Sequence, residues 1–424
     1  MKVLEIYTRV GSNKLEYLCD FVFTKCMGLK YIFLSDLDEF RNSKNRLKIC
    51  YSERSVDGTL HIPESGYFRN FEIERVPDTA RHAVQENGEV EFDVFAAIFY
   101  ILTRVEEYGT IERDVHDRFK ADQSLLFRKG WIQYPIVDYW INELRDALSE
   151  QFNCEIKNKD EYRFLSTVDI DHIYAYRKKP PGIVLGSMLK DIVSFQWGRI
   201  MDRFGAQDPY DTFEEIIDIH QSFYMNPVFF VLCADRGPFD KTFDHRHPDY
   251  IEKVNYINKY YSVGIHPSYA SALSTNMLQH EKMKLESVIN EEIDRSRQHY
   301  LKFKLPESFR NLIDMGIGKE YSMGFHETVG FRAGTSRIHY WYDIEADACT
   351  RLKIYPFQAM DITLKKYMNL DTDTAFEACK LIIDRIRDVG GVFSLIWHNS
   401  SFYSREGWQD WKELYIRILK YAKP

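Results

Sequence analysis

The sequence predicts an α/β fold preceded by a smaller α+β unit, and three observations carry that reading. From residue 162 onward, short apolar runs alternate with helical patterns. Several of those runs end, one after another, on Asp, His or Arg. Residues 1 to about 150 follow a different rhythm, with short strand-like runs ahead of a strong helical block. Seven apolar strands joined by helical crossovers imply a parallel sheet, open or closed into a barrel. In such folds the chemistry gathers at the carboxyl ends of the strands.

At 424 residues the chain exceeds one typical domain. The polar stretch "NCEIKNKDEYR" is the natural linker, which divides the chain into residues 1–155 and 156–424. In the first part the strand-like runs are "YIFLSD", "RLKICYS" and "GTLHIP". Within "FDVFAAIFYILTRVEEYG" the apolar positions 95, 98, 99, 102 and 105 follow helical spacing, with Gly109 where a helix would stop. "YPIVDYWINELRDALSEQF" reads as an amphipathic helix with Pro135 near its start. In the second part the expected strands are 163–169, 227–233, 262–266, 296–301, 320–325, 353–361 and 391–397. Between them run helical patterns such as "DTFEEIIDIHQSFY" and "DTAFEACKLIIDRIRDVG".

Composition narrows the function classes. Hydrophobic content of 45% and charged content of 28% are those of a globular protein with a sizeable core. A net charge of -8 gives no overall electrostatic case for nucleic acid or an anionic membrane. Aromatic content of 15% suits sugar stacking, and suits a core equally well. The amino terminus shows no basic segment followed by an apolar run, and no stretch approaches a membrane span. Seven scattered cysteines without a C-x-x-C pair fit reduced thiols, so a cytoplasmic location is expected.

The stretch "LSTVDIDHIYAY" sets Asp169, Asp171 and His172 within four positions at the end of the first of these strands. Residues two apart on an extended chain point the same way, so both carboxylates can address one centre. Like charges that close repel unless a cation or a shared proton sits between them. Read alone, the segment fits an Asp-rich turn or a helix cap equally well. Further strand ends supply His266, Arg297 with His299, Asp361, and His398 with Asn399. Each has a bland reading as a cap or a hydrogen-bonded loop residue, but their recurrence at successive strand ends favours one site. Arg332 in "FRAGTS" is either a clamp for a substrate anion or a loop brace. No P-loop and no G-x-S-x-G elbow is present.

In order and spacing these motifs resemble the polysaccharide deacetylases, carbohydrate esterase family 4. The resemblance covers about residues 162–424, and implies a deformed (β/α) barrel with an Asp-His-His divalent metal site. "TVDID" is similar to the family's first motif with one residue inserted, which implies Asp169 as general base and Asp171 as metal ligand. "HPSYAS" matches the second motif at His266, but Ala270 stands where the family has its second histidine. Arg297, Asp361 and "LIWH" resemble the remaining motifs, with His398 as general acid. The lost ligand leaves His299 as the expected replacement, since it follows Arg297 on the same face, with His172 as the other candidate. Tyr269 in "HPSYAS", Trp397 in "LIWH" and Arg332 are the expected substrate contacts. The region before residue 155, with "DVHDRF", also resembles the uncharacterised segment that precedes such domains in a bacterial subgroup.

The implied function is metal-dependent removal of an acetyl group from an N-acetylated sugar, a precursor of surface polysaccharide. Zinc is the expected metal, with cobalt, nickel or manganese as alternatives. The partner is carbohydrate; nucleic acid is not. A retired deacetylase module that binds glycan is the main rival. A metal phosphoesterase would need a second metal cluster, and a glycosidase on Asp169 and Asp361 leaves the histidines unexplained.

Overall fold

The protein is described from a computed structural model covering residues 3–177, 181–205, 207–240, 242–404 and 407–424. It has an α/β fold with two sheets. The smaller holds β1 (Val3–Tyr7), β2 (Lys30–Leu34), β3 (Lys48–Ser52) and β4 (Leu60–Pro63), in the order β2-β1-β3-β4. All its pairings are parallel. Its core is closed by helix Val94–Leu102, buried at every position, and by the inner face of helix Ile136–Gln151. The first helix ends before the expected Gly109: Thr103 is its last cap, and Arg104 turns left-handed at φ 60°.

The larger sheet runs β10-β11-β9-β8-β7-β6-β5-β13-β12. Its members are β5 (Arg163–Ile170), β6 (Val228–Val231), β7 (Ser262–Ile265), β8 (Arg295–Ser296), β9 (Lys319–Glu320), β10 (His339–Asp343), β11 (Ala348–Ile354), β12 (Ala359–Met360) and β13 (Val392–His398). Every pairing is parallel except the β10–β11 hairpin. The helices Phe213–Ser222, Thr275–Ile289, Glu307–Asp314 and Thr372–Val389 fall where the periodicity predicts them, and Pro248–Tyr260 is a further helix that the pattern does not predict.

One expected strand is divided in two. Residues 353–361 leave β11 at Ile354 and re-enter the sheet at Ala359, on its opposite edge. Across that gap the Tyr355 N–H donates to Glu320 O at 2.8 Å and the Phe357 N–H to Met323 O at 3.0 Å. The Gln358 N–H then donates to Ser394 O at 3.1 Å. This segment stitches the two ends of the sheet together and closes a deformed barrel. Pro356, which has no N–H to give a ladder, sits at the crossing. Closure brings the strand ends around a ring, and the β5–β13 register sets Asp169 directly beside His398.

The two sheets meet through "FRAGTS". Gly334 is left-handed at φ +65°, and an added Cβ would lie 2.5 Å from Ile101 and 3.1 Å from Val137. Its carbonyl accepts the Val137 N–H, and Thr335 and Ser336 both donate to the buried Asp138 carboxylate. Only glycine allows the backbones to approach so closely at that φ.

Candidate active site

The carboxyl ends of the barrel strands line a cleft of about 540 Å³. At its floor, Arg297 donates from NH1 to Asp169 Oδ1 at 2.9 Å and to Thr167 Oγ1 at 2.7 Å. Its Nε donates to the Tyr321 carbonyl, and the guanidinium lies 4.6 Å from the Phe230 ring centroid. Arg297 is wholly buried, so Asp169 is held by a cation that solvent cannot screen.

Above it, Asp171, His266 and His299 form a group whose ligand atoms all lie within 4.8 Å of one another. His266 Nε2 is 3.3 Å from Asp171 Oδ1, and His299 Nε2 is 3.7 Å from the same oxygen. Local bonds fix both tautomers. His266 Nδ1 faces the Arg297 carbonyl, which can only accept, so Nδ1 carries the proton and Nε2 offers a lone pair. His299 Nδ1 donates to Asp240 Oδ1 at 2.9 Å, a carboxylate behind an imidazole of the kind that orients metal-binding histidines. His172 lines the same cleft but stands outside the group, its ring 6.3 Å from that of Tyr210 and nearly parallel to it.

Across the cleft, Asp361 holds His398 twice: Oδ1 accepts from Nδ1 at 2.7 Å and Oδ2 from the backbone N–H at 2.9 Å. Nε2 is left facing Asp171 Oδ2 at 4.0 Å. Burial alone would push His398 down, but Asp361, Asp171 and Asp169 raise it to about 10. His299 is likewise raised to about 9, against burial, by Asp171 and Asp240. Burial favours neutral Asp171, yet His299, His266 and His398 hold its carboxyl well below the usual range.

The donor set fits a divalent cation. Four carboxylates belong to the cluster: Asp169 is paired with the Arg297 guanidinium, while the ion pairs of Asp171, Asp240 and Asp361 are with imidazoles. Asp171 Oδ1 is buried and makes no hydrogen bond of ordinary geometry, and the atoms that face it are the Nε2 nitrogens of His266 and His299. One carboxylate oxygen and two imidazole nitrogens are the ligands of an open catalytic zinc site.

Of the expected substrate contacts, the structure brings none into the lining. Arg332 is buried and donates from Nε and NH2 to Glu107, with NH1 on the Gly324 carbonyl. It braces the seam between the two sheets and does not face the cleft. Trp397 is fully buried, its ring 4.9 Å from Tyr415 and 6.1 Å from Trp411. Tyr269 lies behind Phe239, with the rings stacked at 4.2 Å, and it is Phe239 that lines the cleft.

Four contributors were not legible as site residues. Asp240 lies in the loop after β6, in "DRGPFDKTF", nine residues past the end of the strand, and stands behind His299. His326, Lys366 and Arg118 also line the cleft. Arg118 comes from "DVHDRF": Nε bonds Asp114 at 2.7 Å and NH1 donates to the Tyr300 carbonyl at 3.0 Å. His116 packs 5.2 Å from the Tyr300 ring. Tyr300 and Leu301 are both left-handed, at φ 61° and 53°, each a cost of about 1–2 kcal/mol. The N-terminal loop thus braces the strained turn that carries His299.

A family model described as a family of unknown function, DUF7033, matches residues 4–153. The comparison with curated proteins finds no match. Among solved structures, a candidate polysaccharide deacetylase from Mycobacterium smegmatis is 14% identical, with 63% of this chain and 85% of that one covered at a TM-score of 0.41. The polysaccharide deacetylase Bc1974 from Bacillus cereus is 11% identical, with 62% and 88% covered at 0.31. A carbohydrate esterase family 4 pseudoenzyme from Bacillus anthracis is 8% identical, with 61% of each chain covered at 0.30. All three scores lie below 0.5, so the chemistry rests on the residues themselves.

Proposed function

We propose that the cleft is the active site of a metal-dependent hydrolase that removes acetyl from an N-acetylated sugar. The observation that carries this reading is one oxygen, Asp171 Oδ1, buried and faced by two imidazole nitrogens. An Arg-held carboxylate flanks it on one side and an Asp-held imidazole on the other. Asp171, His266 and His299 would hold the cation, zinc before cobalt, nickel or manganese. Bound there, it supplies Lewis acidity toward the amide carbonyl and the attacking water.

The remaining work belongs to the chain. Arg297 fixes Asp169 through Oδ1, leaving Oδ2 turned toward His266 to take the proton of the attacking water. Asp361 pins the Nδ1–H of His398, so the proton on Nε2 points into the cleft and passes to the departing amine nitrogen. Water adds at the carbonyl carbon, the C–N bond breaks, and acetate and a free amine leave. A module that only binds glycan has no use for this acid and base.

On this reading residues 156–424 are the catalytic unit, and residues 1–155 support it through Arg118 and Glu107. Seven cysteines, none in a disulfide, support a reducing cytoplasm and a polysaccharide precursor as substrate. No helix of the described residues is long and apolar enough to cross a membrane. The test is elemental analysis of metal together with release of acetate from N-acetylglucosamine oligomers. One divalent ion per chain, lost in Asp171→Ala, His266→Ala and His299→Ala along with acetate release, is the expected result. A wild type that takes up neither zinc nor cobalt would defeat the proposal.

A further inference from the structure

After Arg177 the chain builds two short helices, Pro181–Val193 and Trp197–Arg203, before returning to the barrel. Their packing is inverted relative to a water-soluble helix pair. A charge pair is inside: Asp191 is buried and takes the buried Arg203 guanidinium, with the more exposed Arg199 at 3.6 Å, which ties one helix to the other. The apolar side is outside. Leu185, Leu189 and Val193 follow one another at helical spacing on the first helix, and Trp197, Met201 and Phe204 do so on the second. All six are exposed, Val193 at 77%, Met201 at 67% and Phe204 at 73%, and Phe195 in the connection is 78% exposed.

A monomer in water rarely leaves so continuous an apolar face open, and such a face marks a surface that something covers. Charge selects the occupant. Residues 177–205 contain six basic and two acidic side chains, in a chain whose net charge is -8. Arg177, Lys178 and Lys179 precede the first helix in the sequence, and Lys190 is exposed on it. Aromatic and aliphatic side chains on one face, with lysine and arginine beside them, are the composition of helices that lie in the boundary of an anionic bilayer.

The attachment is firm. The buried Asp208 carboxylate accepts the backbone N–H groups of Ala175, Tyr176 and Arg177, and the Arg203 guanidinium lies 4.3 Å over the Tyr176 ring. The clamped residues follow closely on Asp171 and His172, which line the cleft. The pair therefore springs from the rim of the site.

We infer that the helix pair 181–204 docks the protein on an anionic phospholipid surface, with the cleft held beside it. That the acylated sugar is then presented on a lipid rests on the hydrolase reading; the docking does not.

The test is co-sedimentation of the full chain with vesicles of phosphatidylcholine alone and of phosphatidylcholine mixed with phosphatidylglycerol. Binding to the mixed vesicles, weakened by salt and reduced about tenfold or more in Val193→Glu and in Phe204→Glu, is the expected result. Both positions are exposed, so unchanged thermal unfolding will show the variants folded; Trp197→Ala is the milder companion. No binding to either vesicle would overturn the inference, as would binding that the variants leave intact. Self-association in sedimentation velocity that these variants abolish, without vesicle binding, would overturn it in favour of a second copy. Acetate release plays no part in the readout, so loss of the hydrolase reading and loss of this one are distinguishable.

Discussion

The chain contains two parallel sheets, and only one of them gathers titratable groups at its strand ends. In the four-stranded sheet β1 ends on Tyr7, which packs with Phe40 and Cys50, and β4 is followed by Glu64, paired with Arg69. Strands side by side in an open sheet carry their ends away from one another. In the larger sheet the Tyr355–Gln358 crossing turns a row into a ring, and Asp169, His266, His299, Asp361 and His398 converge. Parallel strands offer a place for chemistry, and closure makes it a site.

The largest expected effect tests the ring directly. Asp169→Asn keeps the shape and removes the base, and acetate release should fall by about 10²- to 10⁴-fold in steady-state kinetics. Rates within a few-fold of wild type would remove Asp169 from its role and dissolve the contrast between the sheets.

Next is the seam. Glu107 is buried between Arg104 and Arg332; burial alone would raise it, but those two guanidiniums hold it at about 2. Glu107→Gln leaves two buried cations short of a counter-charge, a loss of about 3–5 kcal/mol in denaturant unfolding. Cobalt affinity measured below the transition should stay as in wild type; a parallel loss of metal would mean that seam and site are one unit.

Asp240→Asn sharpens the comparison within the cleft. It removes the carboxylate behind His299 without touching a ligand, and should weaken zinc binding about 10- to 100-fold by competition titration. Unaltered affinity would show that His299 is not a ligand.

The smallest effect concerns pH. Burial lowers His220 to about 4, so the folded state keeps it neutral below the pH at which the unfolded chain protonates it. Unfolding therefore takes up a proton, and stability falls as pH drops from about 6.5 toward 4. Its share of that slope is up to about 1.4 kcal/mol per pH unit. His220→Asn should flatten the curve by that amount, and an unchanged slope would show that His220 is not its source.

Much of the ring was legible, because strand ends announce themselves as apolar runs that stop on a charge. Asp169, Asp171, His266, Arg297, Asp361 and His398 lie where that rule points, whereas His299 sits on a one-turn helix after β8, where the pattern predicts a strand over 296–301. What escaped it depends on distant partners. Arg332 read equally as an anion clamp or a loop brace, because Glu107, the counter-charge that makes it a brace, lies 225 residues earlier. Arg118 enters the cleft from a loop of the other unit, with no local pattern to betray it. The division of 353–361 follows from Pro356 and from edges that only the closed sheet defines. The inverted helix pair at 181–204 had no strand or helix assignment, since its apolar spacing does not face the core.

The pairing of β5 with β13 has a bearing on how the protein is made. Asp169 is synthesised 229 residues before its sheet neighbour His398. Every other strand of the ring is by then available. Asp169 and His398 can therefore meet only once β13 has emerged, and a product that stops before it leaves one edge of β5 unpaired, with β6 on the other. Assembly order thus makes the β5–β13 pairing the step that completes the cluster.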